Sequence, residues 1–264
     1  MWRKVPDWLI YLVIIIAIYA NANRAAERVD ASPPPPELGP MLPNQTPRDE
    51  QVMVNVKRPD SGVGTAFAID GKGNWMTARH VVDSCDEVGI NVGGQKVLKV
   101  DSYVSKDSDT AILTSGWKRK PLASDLYTRR QIGEKGYFFG FPQGRPGEVV
   151  GSLLARNRMV VRGRYRSDEA ILAWSEIGRT KGLFGSLGGL SGAPVMDKDG
   201  EVIGVVSAES PRRGRIYTVA PENLQDLFKD RSAMPEAVSP YTYGLQADKF
   251  RRERRIAQVI CIVK

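Results

Sequence analysis

The chain carries a single histidine, His80, so any reaction that needs an imidazole must use that residue. It lies in Asn74-Trp75-Met76-Thr77-Ala78-Arg79-His80-Val81-Val82, which follows the apolar run Gly64 to Ile69. The small Ala78 two places before it allows a short turn to lift the ring out of a strand layer and into a cleft. Further on, Asp109 stands in Asp107-Ser108-Asp109-Thr110-Ala111-Ile112-Leu113 at the mouth of an apolar strand, where a carboxylate can sit at the core's edge and accept a hydrogen bond from an imidazole. Ser191 follows in Gly188-Gly189-Leu190-Ser191-Gly192-Ala193-Pro194-Val195, bracketed by glycines whose freedom lets successive N–H groups point inward as an anion nest. A nucleophile, a general base and an acid that orients the base are the parts of nucleophilic catalysis at a carbonyl.

Other chemistries fit less well. One His and two Cys fall short of the three or four N/S ligands of most zinc sites, so neither a metal nor a cofactor is expected. The glycine-rich stretch lacks the Lys-Ser/Thr ending of a phosphate-binding loop. An α/β-hydrolase elbow requires Ser before His, and here His80 comes first. The excess of 38 Lys and Arg over 30 Asp and Glu gives a net charge of +8. These cations are scattered in short groups with few aromatics between them, which reads as a solvated surface; no nucleic-acid partner is expected.

The elements that must position these residues are mostly short β-type runs broken by Gly, Pro, Asn and Asp. They extend from Gln51 to about Ser232 and predict an all-β sandwich or barrels. Pro221 to Lys229 has apolar residues at helical spacing and predicts a short closing helix. Residues 1–22 join a short basic segment (Arg3, Lys4) to the apolar run Trp8 to Ala20, the pattern of a signal peptide or a single-pass anchor, with the anchor favoured. Residues 23–50, with Pro33 to Pro36, read as an extended spacer. Residues 51–232 form the folded domain, and residues 233–264 a C-terminal extension holding a charged, helix-like stretch and a strand-like end. Cys85 and Cys261 either pair in an oxidising space or remain two buried thiols.

The order His, Asp, Ser within TARHVV, DTAIL and GLSGAPV, together with Gly140-Phe141-Pro142 and Gly144, resembles the trypsin-like (chymotrypsin-fold) serine proteases, and among them the bacterial HtrA/DegP-like branch. The likeness runs from about Val54 to Leu227. It implies two perpendicular six-stranded β-barrels with the active site in the cleft between them, flanked here by an N-terminal hydrophobic helix and a short C-terminal extension. It further implies His80, Asp109 and Ser191 as a catalytic triad, Asp109 being preferred to Asp107 because it directly precedes the apolar strand, and the N–H groups of Gly189 and Ser191 as an oxyanion hole. By the same pattern the substrate pocket lies near Gly185, Ser207 and Glu209; an acid at Glu209 would favour a basic side chain or narrow the pocket. Two departures matter. Leu190 stands where many secreted members carry the Asp that pairs with a newly cut N-terminus, and the residues after Ser232 are too few for a PDZ module.

The sequence therefore predicts a serine endopeptidase acting on polypeptide. It is expected at the cell inner membrane with its protease domain in the periplasm, or secreted if residues 1–22 are cleaved; its oligomeric state is left open. Two rivals stand beside this reading: a protease fold that binds peptides or a partner and hydrolyses them weakly, and a polyanion-binding surface protein.

Overall fold

Apolar residues alternating with small or polar ones, punctuated by Gly and Asp, give a chain of mainly antiparallel strands. The structure, a computed structural model, describes residues 6–27, 38–56, 60–94, 96–228 and 233–264. In chain order the elements are α1 (Asp7–Glu27), β1 (Gln51–Val56), β2 (Gly62–Ala68), β3 (Asn74–Thr77), α2 (Arg79–Val82), β4 (Glu87–Gly93), β5 (Lys96–Lys99), β6 (Asp101–Val104) and β7 (Ala111–Thr114). There follow β8 (Lys135–Gly140), β9 (Gly147–Gly163), β10 (Ser167–Arg179), β11 (Pro194–Met196), β12 (Val202–Ser210), β13 (Arg215–Val219), α3 (Tyr243–Arg252) and β14 (Ile256–Ile262). Residues 1–37 and 38–264 are separate units.

In the first unit, α1 exposes large apolar side chains, among them Trp8, Tyr11, Ile15 and Tyr19. Among the described residues no helix is long and apolar enough to cross a membrane, so the expected spanning anchor is not supported. Arg3, Lys4 and Pro33 to Pro36 lie outside the described residues.

The second unit is built on two sheets. In one, the order β8-β9-β10-β13-β12-β11 closes on itself through the β8–β9 and β8–β11 ladders into a six-stranded ring, and β1 adds to β9 in parallel. The other runs β5-β4-β14-β2-β3-β7-β6 and remains open, a half-barrel of seven strands. The expectation of two six-stranded barrels is thus met by one ring only. Inside the ring, Trp174 meets Phe138 edge-on at 5.6 Å and donates its indole N–H to Thr218 Oγ1 at 3.0 Å, so a large apolar body is buried with its one polar atom satisfied. Gly136 lies against this indole and Gly151 against the Phe138 ring. A second cluster, with Phe67, Met76, Tyr137, Phe139, Val205, Leu224, Phe228 and Phe250, packs residues of both sheets and of α3 together.

Three boundaries shift. The spacer does not run to residue 50: Leu42 is buried, its N–H donates to Arg130 O at 2.8 Å, and Gly39 N–H donates to Ile132 O at 2.7 Å. Residues 233–264 are not an appendage either, because β14 lies between β2 and β4 in the open sheet, with Val259 opposite both Gly64 and Ile90. The expected helix after Pro221 is a single 3₁₀ turn, Pro221–Asn223, whose Asn223 side chain turns back to Ala170 O at 3.2 Å.

Candidate functional site

His80 lies in α2, one turn of helix entered directly from β3, and the buried Val81 and Val82 fix that turn against the open sheet. Asp109, 2% exposed, sits two residues before β7, the strand paired with β3 in the register Thr77–Ala111. The two meet: His80 Nδ1 lies 2.8 Å from Asp109 Oδ2, and the His80 backbone N–H donates to Asp109 Oδ1 at 2.9 Å. An Nδ1–H held by the carboxylate leaves Nε2 as the basic nitrogen. Burial works to lower the imidazole pKa, but the charge and hydrogen bond of Asp109 outweigh it and hold the pKa above the ordinary histidine value, with Arg164 opposing. Burial works to raise the Asp109 carboxyl, yet His80 and the Ser207 hydroxyl bring it below the ordinary aspartate value.

Two further groups hold Asp109. Ser207 occupies the extra position of a bulge between Val206 and Ala208 in the β12–β13 ladder and donates its hydroxyl to Asp109 Oδ2. Bulges of this kind redirect one side chain. Tyr165, in the β9–β10 connection, donates its hydroxyl to Asp109 Oδ1 at 3.0 Å, and burial followed by the Asp109 charge pushes the phenol pKa up, so it stays a donor. The same connection is fastened to the His80 turn. Arg164 pairs with Asp83 at 3.0 Å, and the Arg79 guanidinium lies 3.7 Å from the centre of the Tyr165 ring. A cavity of about 280 Å³ borders His80, Asp109, Tyr165, Arg164, Met159 and Val54.

Ser191 sits on the loop between β10 and β11. Its carbonyl accepts the Thr65 N–H at 2.9 Å, while the Thr65 hydroxyl donates to Gly189 O at 2.8 Å, so β2 of the open sheet grips a loop of the closed ring. Gly189 (φ +95°) and Gly192 (φ +84°) are required as glycines; a Cβ would lie 2.5 Å from Phe141 O at the first and 2.2 Å from Thr65 O at the second. No hydrogen bond among the described residues joins Ser191 Oγ to His80.

The orientation of the loop's amides follows from where its carbonyls are tied. In a trans peptide the C=O and the following N–H point in opposite directions. Gly188 O accepts the Gln143 N–H at 2.5 Å, which turns the Gly189 N–H the other way; Leu190 O accepts the Ala193 N–H at 2.9 Å, which does the same for Ser191. Neither Gly189 N–H nor Ser191 N–H donates elsewhere among the described residues. Gln143 holds the left-handed conformation (φ +54°) and sends Nε2 to Phe184 O at 2.5 Å and Ser186 O at 2.8 Å.

Of the three residues expected at the substrate pocket, only Glu209 lines the hollow that contains Ser191. This hollow holds about 30 Å³ and is otherwise walled by Leu187, Leu190, Val206, Ala208 and Ile216. Ser207 is turned to Asp109 instead, and Gly185 offers its carbonyl to Arg179 at 2.9 Å. Glu209 itself is engaged, accepting the Leu187 N–H at 3.0 and 2.9 Å and the Ser186 hydroxyl. Cys85 and Cys261 form a disulfide with Cα atoms 5.5 Å apart, joining the segment after α2 to β14. Away from these residues, Asp125, Asp197 and Glu201 place carboxylates within 4.8 Å of one another, and Arg130 bridges the first two at 2.6 and 3.0 Å, supplying their counter-charge.

Sequence reasoning passed over Tyr165, Gln143 and Thr65. Thr65 lay in a run read only as a strand. Gln143 carried a signal, a non-glycine residue between Pro142 and Gly144 in a segment already singled out.

Comparison with known proteins adds the relationship. A search of curated protein sequences finds no match. Among solved structures, the active form of the Rv3671c protease from M. tuberculosis superposes with a TM-score of 0.52 at 16% identity, covering 74% of this chain and 95% of that one. The inactive form of the Rv3671c protease gives 0.51 at 20% identity, covering 64% and 84%. The HtrA-type protease AlgW with decapeptide gives 0.49 at 17% identity, covering 63% and 50%. The profile of the trypsin-like peptidase domain matches residues 64–205, more than half of the sequence and the stretch that contains His80, Asp109 and Ser191. The chain belongs to the trypsin-like peptidase family.

Proposed function

We propose that this protein is a serine endopeptidase that cleaves exposed or unfolded polypeptide through His80, Asp109 and Ser191 and an acyl-enzyme intermediate. The observation that carries the reading is the His80–Asp109 pair at 2.8 Å, which leaves the chain's one imidazole with a free Nε2. Ser191 Oγ attacks the scissile carbonyl as Nε2 takes its proton, and the imidazolium, stabilised by Asp109, passes that proton to the departing amine. Water then attacks the ester by the same route in reverse, freeing the acid and restoring Ser191. The N–H groups of Gly189 and Ser191 receive the oxyanion, a contribution of roughly 10² to 10³ in rate per donor. The hollow beside Ser191 is small, about 30 Å³, and walled by Val206, Ala208 and Ile216, which favours a small apolar side chain on the acyl side of the cleaved bond.

The site of action is inferred to be extracytoplasmic. The Cys85–Cys261 disulfide supports it, because such bonds persist in oxidising compartments. Attachment through residues 1–22 rests on sequence alone.

A fluorophosphonate probe tests the proposal. The wild-type protein is expected to form an adduct that is lost in Ser191→Ala and in His80→Ala. No Ser191-dependent adduct in the wild type would overturn the hydrolase reading and leave a peptide-binding module in its place.

A further inference from the structure

Behind the His80–Asp109 pair lies a second carboxyl that no motif assigns. Glu169 stands near the start of β10 in the closed ring, 3% exposed, with Oε1 2.7 Å from the backbone nitrogen of Asp109. Asp109 belongs to the open sheet's side of the molecule, so this hydrogen bond crosses from one sheet to the other. Asp109 is thereby held at both ends: its carboxylate by His80, Ser207 and Tyr165, and its backbone by Glu169.

We propose that Glu169 is a positioning residue for the His80–Asp109 pair, fixing the Asp109 backbone from the opposite sheet and acting on the imidazole through Asp109. This rests on the hydrolase reading for its catalytic meaning.

The surroundings of Glu169 explain how it acts. The loop before β7 brings Ser108 and Asp109 to it, the 3₁₀ turn Pro221–Asn223 brings Asn223 with Nδ2 3.5 Å from Oε2, and β9 places the apolar Met159 opposite. On its own strand the neighbouring Asp168 is engaged elsewhere, with Arg158 at 2.9 Å. No cation pairs with it among the described residues; beyond Asp109 lie His80 and Tyr165, with Arg164 and Arg79 on their far side. Burial, reinforced by the Asp109 charge, pushes the carboxyl up to about 7, while Ser108, the Asp109 N–H and Asn223 hold it back. Across neutral pH, Glu169 therefore exchanges between an acid and an anion without losing its role as acceptor for the Asp109 N–H. As an anion it adds a second negative charge behind Asp109, which by Coulomb attraction would favour the imidazolium; as an acid it does not.

The lone histidine makes this measurable without turnover. In full-length protein carrying ¹³C-labelled histidine, the one imidazole signal is titrated in the wild type, in Glu169→Gln and in Glu169→Ala, and the rate of fluorophosphonate labelling is followed over the same pH range. Gln keeps an acceptor oxygen but never ionises. Its His80 midpoint is expected to fall by about half a pH unit, and the acid limb of labelling is expected to move down with it. Glu169→Ala leaves the buried Asp109 N–H without a partner and is expected to label about tenfold more slowly at the plateau. Should the Ala variant fail to fold, Glu169→Met, which keeps much of the volume and removes the acceptor oxygen, takes its place. Plateau labelling at the wild-type rate in that acceptor-free variant, together with a Gln midpoint that coincides with wild type, would overturn the proposal. A wild type that forms no Ser191 adduct overturns the hydrolase reading instead, and the His80 shift then still reports whether Glu169 acts on the pair.

Discussion

Thr65 and Ser191, 126 positions apart in the chain, are joined by a backbone hydrogen bond of 2.9 Å from the Thr65 N–H to the Ser191 carbonyl, and the Thr65 hydroxyl adds a 2.8 Å bond to Gly189 O. The hydroxyl also accepts the Phe141 N–H at 3.1 Å. One buried side chain of the open sheet therefore braces both the loop whose amides form the proposed oxyanion hole and the Phe141–Gly144 segment that packs on it. Thr65→Val keeps the shape and removes the hydroxyl, leaving the Gly189 carbonyl and the Phe141 N–H unpartnered. The expected cost is about 1–3 kcal/mol in urea unfolding, with labelling of Ser191 slowed at least tenfold. Unchanged labelling would show that the Gly189 peptide is oriented without Thr65.

Gln143 acts on the same loop from the other side. Its backbone N–H fixes Gly188 O, and its side chain ties Phe184 O and Ser186 O, yet its φ of +54° is unfavourable for any side chain but glycine's. Two variants separate these effects. Gln143→Gly relieves the backbone and loses the side-chain bonds; Gln143→Ala loses the bonds and keeps the strain. If the side chain clamps the loop, both label more slowly, and Ala is also less stable to heat than Gly. If only the backbone bond matters, the Gly variant labels like wild type.

Local pattern made most of the strands legible, and β1 falls on the segment Gln51 to Val56 read as its first strand. What it could not supply was partners. The apolar alternation of Ile256 to Ile262 marks a strand, but its insertion between β2 and β4 depends on residues more than 160 positions away. The polar stretch Arg156-Asn157-Arg158 interrupts the apolar pattern of β9 although the strand runs through it; its side chains reach Pro43 O, Glu50 and Pro47 O and serve to fasten the N-terminal segment. His80, Asp109 and Ser191 were legible because each stands in a distinctive local setting. Glu169 stands in a setting much like that of Asp109, an acid at the mouth of the apolar run Ala170-Ile171-Leu172, and the same reasoning applied there would have marked it. Ser207 is turned toward Asp109 by a bulge that arises from pairing with β13, which the sequence of β12 alone does not encode.

The hollow beside Ser191 predicts cleavage preference. Glu209 could have received a basic side chain, but its carboxylate is taken by the Leu187 N–H and the Ser186 hydroxyl, and Val206, Ala208 and Ile216 leave little depth. Cleavage of a mixed peptide library is expected after Ala or Val, with Lys and Arg disfavoured. Ile216→Ala removes three carbons from the wall and should extend acceptance to Leu or Met. Glu209→Gln should reduce activity toward every peptide by loosening the 186–188 loop, rather than abolish a basic preference. Efficient cleavage after Arg in the wild type, lost in Glu209→Gln, would assign Glu209 to substrate binding instead.

Acid stability should depend on one carboxylate in the C-terminal segment. Glu236 accepts bonds from Arg255 at 2.6 Å, from Lys120 at 3.1 Å and from Lys249, and so ties the chain before α3 to the residues that lead into β14. Burial works to raise its pKa, but the bonds from Lys249, Arg255 and Lys120 win and bring it to about 2. Because the folded pKa lies below the unfolded value of 4.5, the stabilisation is complete above about pH 5 and is lost as pH falls toward 2. Glu236→Gln also leaves Arg255, 1% exposed, with only the more distant Glu253, at 3.5 Å, as counter-charge. The variant is expected to be less stable than wild type by roughly 1–2 kcal/mol at neutral pH, because solvent screens part of the attraction to the exposed Lys120 and Lys249, with the gap closing toward pH 2, where Glu236 becomes protonated in the wild type as well. Urea unfolding of both proteins at pH 7, 4 and 2.5 checks this, and a difference that stays constant with pH would mean that shape, rather than charge, is what Glu236 contributes.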